Sequence, residues 1–229
     1  MIRTVFGLVL VLVLALLLVL AVPDVQPREE LEGVGLESAA RGYADTGSAN
    51  LVTGVIVAYR GLDTLGEVVV LFCASTAVVL ILTLFPLSRR PSRPSTIVSQ
   101  TSGVLPAPII LFAVYFIAHS HLSPGGGFPG GTVIASAFLL VMLGSSGVPN
   151  SLGRLPAVES LAGLTFGLLG FWGVMTAGQF LNNGFLGTGT PGTIISAGII
   201  PLISLAIGAK VASEFSGVFA AFRNTGGTE

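Results

Sequence analysis

The fold class this sequence predicts is all-α: a polytopic membrane protein with about six transmembrane helices and both termini in the cytoplasm. Three observations predict it. Hydrophobic residues fill 52% of the 229 positions and charged residues only 9%, against roughly 25% charged in an ordinary soluble domain. Apolar runs recur at close to the length of about 20 helical residues that crosses ~30 Å of hydrocarbon. Lys and Arg are distributed unevenly about those runs.

The first span is read over residues 4–22, behind Arg3, where Val and Leu alternate without a polar interruption. A cleaved signal peptide is the competing account. The apolar core exceeds the ~7–15 residues usual for one, and no A-x-A site precedes Pro23, so a retained helix is expected. The other spans are read over residues 65–85, 101–119, 128–147, 158–181 and 193–211. Gly and Pro recur inside them, as transmembrane helices tolerate. With the N-terminus cytoplasmic, Arg3, Arg89, Arg90, Arg93, Arg154, Lys210 and Arg223 fall inside and Arg28, Arg41 and Arg60 outside, which obeys the positive-inside rule. Residues 23–48 then form an acidic outer loop carrying Asp24, Glu29, Glu30, Glu32, Glu37 and Asp45. It reads as a solvated surface loop, with a cation-gathering vestibule as the sharper alternative.

A net charge of -1 leaves no basic surplus to hold nucleic acid. Cys73 is the only cysteine and lies in an apolar run, which excludes a disulfide or a cysteine-based metal site within the chain. Two histidines do not make a zinc site. No nucleophile is paired with a base, so neither a catalytic centre nor a cofactor is expected.

Two segments break the apolar pattern. Residues 51–58 are apolar but too short to cross, and read as a short buried or interfacial element broken at Arg60-Gly61. The next span then restarts at Thr64, where Thr64 and Glu67 have the spacing of a capping box. The functional reading groups Arg60, Asp63 and Glu67 as a charged cluster at the membrane boundary, with Asp63 and Glu67 on a cation or proton path. The second segment runs from His119 through His121, Pro124, Gly125, Gly126, Gly127, Phe128, Pro129, Gly130 and Gly131. Its plain reading is a tight-packing turn between spans. His121 is also a candidate proton carrier, because imidazole titrates near neutral pH.

Lys210 and Glu214 share a helix face four residues apart. Snorkelling to the cytoplasmic boundary explains Lys210 structurally, and a place on the proton path is the alternative. Glu159 reads as a carboxylate near a helix N-terminus. Residues 130–137 and 191–198 are similar in sequence, an echo that points to parallel repeats, each opening an inward-running span.

The run from Phe112 to Tyr115, followed by His121-Leu122-Ser123-Pro124-Gly125-Gly126-Gly127-Phe128-Pro129-Gly130-Gly131, resembles the GHxxPGGGFxGG signature of the MrpB (MnhB) component of Mrp-type multisubunit sodium/proton antiporters. The likeness covers residues 95–222, and Gly208-Ala209-Lys210-Val211 resembles that family's final helix. Ser120 stands where the pattern has Gly. Residues 49–67 resemble the C-terminal part of the MrpA component, which is a separate small protein (MbhE) in membrane-bound hydrogenases. The resemblance implies a fusion: a two-helix module over residues 1–86, a linker over 87–96, and a four-helix MrpB-like domain over 97–229. It further implies an accessory subunit of the cell membrane without its own catalytic centre, supporting sodium export against proton entry. Its partners would be the other subunits of the antiporter, the lipid bilayer, Na+ and H+. The alternatives are a subunit of a redox-driven ion-pumping complex, of the hydrogenase or sulfane reductase type, and a purely structural scaffold.

Overall fold

The computed structural model describes residues 34–85, 94–145 and 153–224, together with Leu12 and Leu16. The first expected span, residues 4–22, therefore lies outside the described residues except at those two leucines, as does most of the linker. The chain divides into two compact units, Met1–Glu37 and Ser38–Glu229. The charged and polar sites described below all belong to the second.

The described elements are helical, and their only β pairing is an isolated bridge between Gly189 and Ser196. Helix α1 (Val34–Thr46) leads to a single turn, α2 (Leu51–Gly54), which passes into a π-helical turn at Val55–Tyr59. Asn50 caps α2, its side-chain oxygen accepting from Thr53 N. This pair of turns is the short non-spanning element expected between the acidic loop and the next span, and it breaks at Arg60. Helix α3 (Gly61–Leu84) follows, and its 24 residues reach about 36 Å.

Thr64 is not the cap of α3, because the helix starts at Gly61. Its buried hydroxyl donates instead to Ile56 O at 2.9 Å and lies 3.4 Å from Arg60 O. The physical reason is the π turn, in which Arg60 N bonds to Val55 O. That five-residue step leaves the Ile56 carbonyl for a side chain to satisfy.

The next span is broken. Helix α4 (Thr96–Val104), capped by Ser95, and α5 (Pro106–Ala118) meet at a 45° bend. Pro106 lacks the N–H of the helical ladder and its ring crowds the preceding turn, which accounts for the bend. Helix α6 (Gly127–Gly144) begins directly after Gly126, whose φ of 132° is open to glycine and closed to most side chains. Helix α7 (Leu155–Ala177) and helix α8 (Ile200–Asn224) complete the fold. Among the described residues, four helices are long and apolar enough to span a membrane, and the bent pair makes a fifth.

The last span does not start at residue 193. Residues 187–199 form an irregular loop, pinned by Ala197 N to Thr188 O at 2.8 Å, and the helix begins at Ile200. Apolar residues 194 and 195 had the composition of a helix, but both are exposed, while Leu181, Ala197 and Ile199 in the same connection are fully buried. The sequence echo consequently has no structural counterpart. Residues 130–137 lie within α6, and residues 191–198 lie in the loop.

Helix α8 is the centre of the packing. It contacts α3, α5, α6 and α7, and 61% of its apolar window is buried within the chain, against 11% for α3. Glycines set the approach. A Cβ at Gly131 would stand 2.6 Å from Gly208 O and 2.7 Å from Val211 Cβ, and one at Gly127 would stand 2.7 Å from Ile207 Cβ. Ile117 of α5 fills the notch beside Gly130 and Gly208. Small residues that let helix backbones meet replace the hydrophobic effect as the driving force for packing in lipid. The outward faces carry Leu111, Phe171 and Trp172, as a surface facing lipid or a partner chain requires.

Replacing Gly131 by Ala is expected to lower stability by about 1–3 kcal/mol through overpacking. Gly167→Ala, where nothing lies within 4 Å of the added atom, is expected to be neutral or stabilising. Thermal unfolding of the detergent-solubilised protein measures both.

Candidate functional site

Helix α8 carries two ionisable groups into the interior. Lys210 and Glu214 are one turn apart, and Nζ donates to Glu214 Oε1 at 2.6 Å. Helix α7 runs alongside and supplies Glu159, whose Oε1 is 3.7 Å from the same ammonium. Side-chain exposure is 9% for Lys210, 0% for Glu214 and 25% for Glu159. The ring of Phe72 on α3 stands 5.0 Å from Nζ, a cation–π contact that closes the apolar side. Glu214 Oε2 is buried and has no hydrogen-bond partner among the described residues. Three helices thus converge on one lysine and two carboxylates. Ionised groups inside a span are expensive unless paired, so such a cluster marks a functional site by default.

This arrangement corrects two sequence expectations. Lys210 does not snorkel to the surface of the chain, because its ammonium is held inside by Glu214. Glu159 is the fifth residue of α7, one turn further in than a helix-start carboxylate, because the helix begins at Leu155. The i,i+4 spacing of Lys210 and Glu214 was readable. Glu159 was missed as their partner because it lies some fifty positions away in the chain, and only packing brings it near.

A second constellation is a buried polar seam. Asn50 Nδ2 donates to Ser120 O at 2.8 Å and Ser123 O at 2.9 Å, while Asn50 N donates to His121 O at 2.9 Å. Ser48 Oγ lies 3.1 Å from the same His121 carbonyl. His121 is fully buried, and its Nε2 is 3.2 Å from Thr193 O. Since a carbonyl only accepts, Nε2 carries the hydrogen, and Nδ1 has no partner among the described residues. Asn183 extends the seam, donating to Thr46 O at 2.7 Å and accepting from Ile199 N at 2.9 Å. His119 is elsewhere, stacked on Tyr115 with ring centroids 4.2 Å apart.

The third group is superficial. Arg60 and Asp63 form an ion pair at 2.6 Å with both side chains more than half exposed, a class of contact worth little. Glu67 lies one turn further along α3, exposed, and no ion pair joins it to Arg60 among the described residues. Asp63, Glu67, His121 and Lys210 thus occupy separate surroundings, and no hydrogen bond or ion pair links them to one another among the described residues.

Comparison with known proteins places this architecture. A family model described as a domain related to the MnhB subunit of Na+/H+ antiporters matches residues 97–217, more than half of the chain. The chain belongs to this MnhB-related family. A second model, that of the MbhE component of MBH, matches residues 3–102. The MnhB-related chain is 32% identical to protein MJ1307 of Methanocaldococcus jannaschii over 194 residues, which are 73% of this chain and 74% of that one. It is 35% identical to the MnhB-type component of the Na(+)/H(+) antiporter of Alkalihalophilus pseudofirmus over 82 residues, which are 34% of this chain and 56% of that protein.

Among solved structures, a chain of the membrane-bound sulfane sulfur reductase, an archaeal respiratory membrane complex, is 37% identical with a TM-score of 0.76, covering 95% of this chain and 97% of that one. A chain of the Mrp complex from Dietzia sp. DQ12-45-1b shares the fold, with a TM-score of 0.71 at 24% identity, covering 96% of this chain and 26% of that one. The family and the apolar helices make this a multi-pass membrane protein. The polar seam joins residues 46–50, within the MbhE-like stretch, to residues 120–123 and 183–199, within the MnhB-related region.

Asn50→Ala leaves the Ser120 and Ser123 carbonyls without their donor, which is expected to cost about 1–3 kcal/mol. Hydrogen exchange is expected to rise at residues 46–60 and 119–123 and to stay unchanged in the middle of α6.

Proposed function

We propose that this MnhB-related chain is an accessory subunit of a multisubunit, Mrp-type Na+/H+ antiporter complex in the cell membrane, working without a catalytic centre of its own. One observation carries the reading: the Lys210–Glu214–Glu159 cluster, charged groups held inside the helices of a membrane protein. Structural packing alone does not need them, since apolar residues would fill the same space at less cost. In the six-span topology with both termini cytoplasmic, Lys210 and Glu214 lie in the inner half of α8. The His121 seam and the Arg60–Asp63 pair then face the outside. Lys210 is the group we assign to cation or proton transfer, with Asp63, Glu67 and His121 as access positions toward the outer surface. The division into modules over residues 1–86 and 97–229 belongs to the same reading, with the polar seam as their joint.

A second reading has a specific observation behind it. The sulfane sulfur reductase chain is similar over nearly its whole length, which favours a redox-driven ion-pumping complex as the host. Purification in mild detergent separates the two. Antiporter subunits alone support the first, and co-purifying redox subunits support the second. A chain recovered alone rules out both.

Lys210→Met is expected to lower sodium-dependent proton movement in membrane vesicles by about tenfold or more, equivalent to some 1.4 kcal/mol of barrier. The double variant K210M/E214Q removes the pair together and guards against misfolding from a lone buried charge. Full activity of the assembled complex carrying both changes would leave this chain a scaffold. Glu67→Gln and His121→Ala, assayed in the same way, test the access positions.

A further inference from the structure

The buried cluster does not balance. Lys210 contributes one positive charge, and Glu159 and Glu214 together contribute two negative ones. Groups facing the site from the other elements do not correct this. Helix α6 contains no titratable residue, and the titratable groups of α3, namely Asp63, Glu67 and Cys73, are exposed. Tyr115 of α5 is exposed, and Arg223 at the end of α8 bonds to Ser145 O. An uncompensated charge at this depth is costly. Independently, Glu214 Oε2 sits fully buried without a partner among the described residues, so one lone-pair position in the cluster stands open.

Geometry gives the lysine two places to be. It is hydrogen-bonded to Glu214 at 2.6 Å and merely ion-paired with Glu159 at 3.7 Å, so a shift of about 1 Å would exchange the roles. Residue 163, one turn beyond Glu159 on α7, is glycine. The Cδ, Cε and Nζ atoms of Lys210 pass 3.8–3.9 Å from where its Cβ would stand, in ordinary contact. The flexible stem thus lies along α7 with room to move. The two carboxylates differ in access, Glu214 being closed off and Glu159 one-quarter exposed.

We propose that Glu159, Lys210 and Glu214 form one exchange site for a single monovalent cation, a proton or a sodium ion, gated by movement of Lys210 between the two carboxylates. The cation occupies the carboxylate that Lys210 leaves, taking the net charge of the site from -1 to zero, and its release restores the pair. Glu159 is the port and Glu214 the inner holder. This inference rests on the membership of an ion-translocating complex proposed above and adds to it the two glutamates and the lysine's motion.

The test uses the intact purified complex in lipid, read by infrared difference spectroscopy of carboxyl groups. The expected result is a carboxyl difference band in the wild type. A response to pH at fixed sodium identifies the proton as the occupant, and a response to sodium at fixed pH identifies the metal ion. Glu214→Gln removes the band. Glu159→Gln slows its response by about tenfold or more and leaves it present, whereas Glu159→Asp restores the response. A band in the wild-type complex that neither glutamine variant alters, with antiport intact, overturns the exchange site while leaving complex membership standing. A chain that never co-purifies with other subunits overturns membership, and the exchange site with it.

Discussion

Most of this structure follows from the burial of one helix. Helix α8 is packed against four others, and a 25-residue segment enclosed to that extent has to meet two conditions at once. Its neighbours must come close, and its polar groups must find partners inside the protein. The first condition is met by Gly127, Gly131 and Gly208, which remove the side chains that would hold α6 and α8 apart. The second is met by pairing, with Lys210 set between carboxylates from two helices and Ser213 Oγ bonded back to Ala209 O and Lys210 O. Where the pairing is incomplete, at Glu214 Oε2, the structure offers a place for a cation.

The polar seam obeys the same rule at the other end of the helices. Backbone carbonyls of residues 120, 121 and 123 are turned inward by the glycine-rich connection and would be unsatisfied there. Asn50 and Ser48 reach them from the preceding module, and Asn183 and the 187–199 loop complete the arrangement. The seam is thus an obligation of backbone hydrogen bonding as much as a joint between modules. His121, held through Nε2 on Thr193 O, is the one titratable side chain enclosed in it. The surface pair Arg60–Asp63 has none of this enclosure and carries correspondingly little structural weight.

Legibility in the sequence tracked the range of the interaction that decided each feature. The spans of α3, α6 and α7 were readable within a few residues, because apolar length in lipid is a local property. So was the short element before Arg60, whose apolar run is too brief to cross. The Thr64 cap failed, because a π turn upstream created a free carbonyl that no pattern in the sequence marks. The last span was begun seven residues early, because 193–199 is as apolar as a helix yet serves as a buried loop anchored by Asn183 and Thr188.

The sequence by itself determined that this chain lives in a membrane, roughly where it crosses, and to which family it belongs. Composition, run length and a glycine motif are written in consecutive residues. Only the tertiary structure decided that Lys210 is internal and not snorkelling, that Glu159 is its second carboxylate, and that His121 is locked into a seam while His119 stays outside. Each of these depends on the distance between residues far apart in the chain. In lipid, that distance is set by how closely glycine-lined helices approach, and no single segment encodes it.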